Sequence, residues 1–150
     1  MNNDDTIKQL NKLIETCKDG EYGFRTCAEH TKSPDLKSVF LSRAADCQRG
    51  AIELQELVVR LGGKPDTGSS VTGTLHRGWV SVVSTLKGHS DEAMLEECER
   101  GEDAALVRYR AALKEPLPAD VMSVVQKQYE GAKRNHDQIR NLRNQAKAAR

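Results

Sequence analysis

Residues 5–31 read DTIKQLNKLIETCKDGEYGFRTCAEHT. Ile7, Leu10, Ile14, Cys17, Glu21, Phe24 and Ala28 recur at alternating steps of three and four. That spacing puts them on one side of an α-helix and marks the seam of a helix bundle. Gly20 and Gly23 weaken this helix by about 1 kcal/mol each relative to Ala, and residues so small let another element approach closely. Ser33-Pro34-Asp35 then stops and restarts the chain, with Ser33 as N-cap and Pro34 in the first helical position. A turn this short forces the next helix to run antiparallel.

The second helix is predicted over 34–61, its seam formed by Leu36, Phe40, Cys47, Leu54, Leu57 and Leu61 and interrupted by Arg43 and Gly50. Gly62-Gly63-Lys64-Pro65 ends it. A long connection follows, polar at first. Leu75, Trp79, Val82, Val83 and Leu86 then form a short amphipathic stripe that predicts an extra crossover helix over about 71–87. A third long helix is expected over 91–114, with Leu95, Cys98, Glu102, Ala105, Tyr109 and Ala112 on its seam. Pro116-Leu117-Pro118 turns the chain into a fourth, over 118–147, showing Val121, Val125, Gln128, Ala132, Ile139 and Leu142. Two helices, one long central crossover and two more helices make a single all-α domain of ferritin-like four-helix-bundle topology over residues 1–150.

Composition agrees with that reading. Charged residues are 30% of the chain and aromatics only 4%, which suits solvated helices with aliphatic seams and not a β-sandwich. The net charge of +1 provides no global field for nucleic acid. The basic stretch Arg140 to Arg150 reads as a solvated helix end. No apolar run approaches the ~20 residues of a membrane span, and Met1-Asn-Asn-Asp-Asp does not resemble an export signal, so cytoplasm is the expected location. Cys17, Cys27, Cys47 and Cys98 follow no zinc or Cys-x-x-Cys spacing, and those on seams read as small hydrophobes. No phosphate-cradling glycine loop and no nucleophile motif is present.

Three stretches carry a resemblance: Asp19-Gly20-Glu21-Tyr22-Gly23-Phe24-Arg25, Leu75-His76-Arg77-Gly78-Trp79, and Glu97-Cys98-Glu99-Arg100-Gly101-Glu102-Asp103-Ala104-Ala105-Leu106. They resemble an uncharacterised bacterial family of four-helix bundles, placed in the ferritin-like superfamily as a domain of unknown function. The similarity spans roughly Thr6 to Arg143. It implies the fold and brings no activity with it.

The chemistry should lie where a seam turns polar. A buried ionised carboxylate is expensive unless paired or metal-bound. Di-iron bundles take one Glu from each of two helices and Glu-x-x-His from each of the other two. Here the first helix offers Glu21 and the third Glu99 or Glu102. The second offers Glu53 and Glu56 without a His, and the fourth offers His136 with Lys133 where a Glu should stand. At ~1.5 Å rise per residue, Glu21 lies about 15 Å below the first corner and Glu53 about 30 Å. Arg43 and Asp46 share the level of Glu21, and Glu99 and His136 differ in depth by only about 4 Å. The predicted mid-bundle cluster is therefore Glu21, Arg43, Asp46, Glu99, Glu102 and His136. In the favoured reading it is a buried ion network in which Arg43 satisfies Glu21 and Glu102. No cofactor and no catalytic residue is then predicted, and the chain acts through protein contacts, with a homo-oligomer as its expected partner state. The alternative is a ferritin relative binding iron or manganese at Glu21, Asp46, Glu99, Glu102 and His136. His76, beside Trp79, reads as packing or surface, while Tyr109 and Tyr129 read as core residues whose hydroxyls reach the polar middle.

Overall fold

The computed structural model describes residues 2–66 and 90–149. They form four long helices: α1 (Asn3–His30), α2 (Pro34–Arg60), α3 (Asp91–Leu113) and α4 (Ala119–Ala148). The crossover helix expected over 71–87 lies outside the described residues.

Local chemistry sets the helix ends. The side chains of Asn2, Ser33 and Ser90 each accept a backbone N–H of the first turn, and an acidic residue follows each of them within that turn. α2 stops where Gly62 adopts φ +83°, a backbone conformation that L side chains resist. Its N–H and that of Gly63 then close onto Val59 and Val58 carbonyls at 3.0 Å each. Gly63 is also needed for its size, since a Cβ there would come within 2.6 Å of Ile7 Cδ1.

Pairings across the bundle give its topology. Asn11 near the start of α1 exchanges hydrogen bonds with Lys64 and Asp66 just past α2, so these two helices are antiparallel. Thr31 at the end of α1 donates to Asp91 at the start of α3, so α3 also runs against α1. α2 and α3 consequently point the same way. The end of one and the start of the other lie at opposite ends of the bundle, about 40 Å apart for helices of this length. This is the topology expected from the sequence, with α1 packed on both α2 and α3, and α4 on α3 and more lightly on α2.

The core divides in two. One apolar cluster gathers Leu10, Leu13, Ile14, Leu54, Leu57, Val58, Val121 and Val125 towards the end where α1 begins. The other gathers Phe24, Phe40, Met94, Leu95 and Ile139 towards the end where α1 finishes. Full burial of each such side chain stabilises the fold by roughly 1.5–3 kcal/mol. Between the clusters the bundle has a waist where glycines and polar groups replace the aliphatic seam.

Two glycine substitutions should separate turn chemistry from helix propensity. Gly62→Ala is expected to lower unfolding free energy by about 1 kcal/mol or more, because its φ is left-handed. Gly131→Ala should raise it by about 0.5–1 kcal/mol, since the added Cβ meets nothing closer than Arg134 Nη2 at 3.6 Å. Urea denaturation of the two variants checks both signs.

Candidate functional site

The waist opens into a cavity of about 310 Å³ walled by all four helices. One glycine comes from each: Gly20, Gly50, Gly101 and Gly131. Only Gly20 stood out in the sequence for its smallness. Gly50 showed only as a gap in the seam of α2, and Gly101 and Gly131 gave no signal of their own, because periodicity ranks apolar side chains and is silent about absent ones.

A chain of hydrogen bonds beside the cavity touches every helix. The Tyr109 hydroxyl donates to Gln128 Oε1 at 2.8 Å. That uses its one proton, so the Cys17 thiol, 3.4 Å away, is the donor to Tyr109. Gln128 Nε2 donates onward to the Gly50 carbonyl at 3.2 Å and to Glu53 Oε1 at 2.8 Å. Burial pushes the Cys17 thiol up to about 11 and the Tyr109 hydroxyl well above its usual range, so both stay protonated at neutral pH. They serve as donors and not as nucleophiles or thiolate ligands. A second thiol pair, Cys27 and Cys98, is fully buried across the α1–α3 seam with sulfurs 3.5 Å apart. Desolvation, with Cys27 beside it, also raises the Cys98 thiol well above its ordinary value.

The six residues expected in the mid-bundle cluster are only partly brought together. Glu21 is half-buried and takes Arg25, one turn further along α1, at 2.9 Å. Arg43 spends its guanidinium on Asp46 at 3.1 Å, and on Asn135 and Gln138 of α4. The expected Arg43–Glu21 pair is therefore replaced by two pairs along single helices. Asp46 also takes Arg49. Glu99 and His136 do meet, at 3.7 Å, but Arg143 binds Glu99, and Asp103 approaches His136 Nε2 more closely, at 2.6 Å. Arg25, Asp103 and Arg143 were missed because they stand off the stripes. The i, i+4 step from Glu21 to Arg25 was the available signal for the first. Two further carboxylates are buried, Asp19 near Arg108 at 3.9 Å and Glu97 against Arg100.

Glu102 is different. It is 8% exposed, and its Oε1 has no hydrogen-bond partner among the described residues. Desolvation raises its carboxyl from the ordinary 4.5 to about 8, opposed by Arg43 and reinforced by Asp103 and Glu99. Arg43 thus acts on Glu102 through space, without a hydrogen bond between them.

These residues do not fit the metal centre that a ferritin-like fold suggests. Glu21, Asp46 and Glu99 are each drawn to an arginine, and among the described residues no group of three or more His, Cys, Asp or Glu side chains is placed to hold a metal ion.

Two measurements follow. A carboxyl raised in the folded state favours the acid form, so its contribution is complete below pH ~4.5 and is lost as pH climbs towards ~8. Glu102→Gln should flatten that loss and stabilise the protein at pH 8 by an amount on the order of 3 kcal/mol, read from chemical denaturation across the pH range. Tyr109→Phe leaves Gln128 Oε1 and the Cys17 thiol without their shared partner, and should cost about 1–2 kcal/mol in the same assay.

Comparison with known proteins agrees with the fold. A family model described as a domain of unknown function (DUF2383) matches residues 5–115. No curated protein matches the chain. Among solved structures, it is similar to a dodecameric thioferritin, the bacterioferritin-related protein from Bacteroides fragilis. The two are 14% identical, with 99% of this chain and 90% of that one covered at a TM-score of 0.78. At that identity the likeness establishes the fold, a ferritin-like four-helix bundle.

Proposed function

This chain belongs to the DUF2383 family, whose description assigns no activity, and from that premise we propose a non-catalytic cytoplasmic bundle that works through self-association. The observation that carries the reading is an apolar stripe on the outside of α2. Leu41, Ile52 and Val59 are 45%, 47% and 60% exposed. Their spacings, three turns and then two, align them on one face. Apolar groups lined up in this way favour contact with another copy of the same surface. Similarity to a dodecameric protein supports assembly further. The non-catalytic part rests on the ion pairs, since Glu21, Asp46 and Glu99 each face an arginine. No helix among the described residues is long and apolar enough to cross a membrane.

The competing reading, an iron- or manganese-binding relative with an incomplete ligand set, draws on the meeting of Glu99, Asp103 and His136. Light scattering on the purified chain tests the favoured one. The wild type should run as an oligomer, and a double change of Ile52→Glu with Val59→Glu should weaken association by about tenfold or more while leaving helicity unchanged. A monomeric wild type would count against self-association. Stoichiometric iron or manganese in protein purified without chelator, lost in His136→Ala, would favour the competing reading.

A further inference from the structure

The lining of the waist cavity includes none of Leu41, Ile52 and Val59, and its construction has a direction. Asp46, Gly50 and Gly131, on α2 and α4, are half-buried, and Arg134 on α4 is exposed, whereas Phe24, Gly101 and Glu102 on α1 and α3 are buried. The cavity therefore opens between α2 and α4 and closes against α1 and α3. Glu102 stands at the closed end with Oε1 shielded from solvent and unpartnered among the described residues.

The size suits a small guest. About 310 Å³ is roughly twice the ~150 Å³ cavity that accepts a benzene-sized molecule, and it falls at the lower end of small-molecule sites. Helix-interior glycine costs about 1 kcal/mol relative to Ala, and four of them surround this space. At Gly131 packing does not demand the small residue, since a Cβ would sit at ordinary contact distance.

The electrostatics select the sign of the guest. Cys47 lines the cavity, and after desolvation its thiol is raised further by Cys17 and then by Glu102, Asp46 and Glu21. Asp46 and Glu21 are already paired with arginines. Glu102 is the wall carboxyl left to receive a new donor. A bare divalent ion would want several oxygens converging at one point, whereas the wall around Glu102 includes Phe24, Ala105, Ala132 and glycine backbone.

We propose that the waist cavity binds a small organic ammonium ion: Glu102 gives up its proton to solvent, the ammonium N–H donors take its place on the carboxylate, and the short carbon body lies against Phe24, Ala105 and Ala132. A primary amine fits both features: an acceptor at the closed end, and the apolar side chains of Phe24, Ala105 and Ala132 within the same lining. Charge-assisted hydrogen bonding at a desolvated site supplies the affinity, and the carbon chain supplies the fit.

Calorimetric titration of the full chain with n-butylammonium tests this, with 1-butanol as the uncharged probe of the same carbon body. Saturable one-to-one binding of n-butylammonium is expected, with 1-butanol about tenfold weaker or more. Glu102→Gln, which keeps shape but cannot ionise when the ammonium arrives, should reduce n-butylammonium binding by about tenfold or more. Ala132→Leu should reduce the affinity for both probes by filling the space. Equal affinity of wild type and Glu102→Gln for n-butylammonium would overturn the proposal. So would the absence of saturable binding, or uptake of manganese through Glu102 in place of the amine.

Discussion

Cys17, Tyr109, Gln128 and the Gly50–Glu53 stretch form one hydrogen-bonded chain across all four helices. Its existence follows from a constraint at the waist. A polar group placed between two apolar clusters must find its partners there or bear a desolvation cost of roughly 1–3 kcal/mol. Tyr109 and Gln128 meet that constraint by satisfying each other and then reaching α1 and α2. This ties the two helix hairpins together where aliphatic packing is thinnest. Glu102 does not meet it, and an uncharged carboxyl is the cheapest state open to a group so placed.

The apolar skeleton was legible in the sequence because bundle seams repeat. Leu10, Ile14, Phe24, Phe40, Leu54, Leu95, Val125 and Ile139 all lie on stripes read from spacing, and all are buried. Ser33-Pro34 and Gly62-Gly63 marked their corners through capping chemistry that acts within a few residues. The polar middle was legible only in outline. A stripe shows that Glu21 and Glu102 face inward, but not how far each side chain reaches or which neighbour wins it. Glu21 stands at the edge of its seam, where Arg25 competes successfully from one turn away. Arg43 had nearer partners in Asp46 and in the amides of α4. Asp103, one position off the seam, reaches His136 because residues flanking a stripe meet across a helix pair.

The same distribution of charge shows that a ferritin-like architecture does not fix how the carboxylates inside it are arranged. A carboxylate centre requires several acids left free to converge on one point. In this chain, arginines from the same helix or its neighbour draw Glu21, Asp46 and Glu99 apart. What stays at the centre is space, a thiol at Cys47, and the carboxyl of Glu102. Fold and site are therefore separate questions, joined only by the helices that frame the waist.

Infrared difference spectroscopy of wild type against Glu102→Gln, in the absence of added amine, addresses the state of that carboxyl most directly. At neutral pH the wild type should show the carbonyl stretch of a protonated carboxylic acid in a water-poor setting, and the substituted protein should lack it. A Glu102 found fully ionised at neutral pH would mean that the waist holds a compensating charge or solvent, and the account of an unpartnered interior acid would fail.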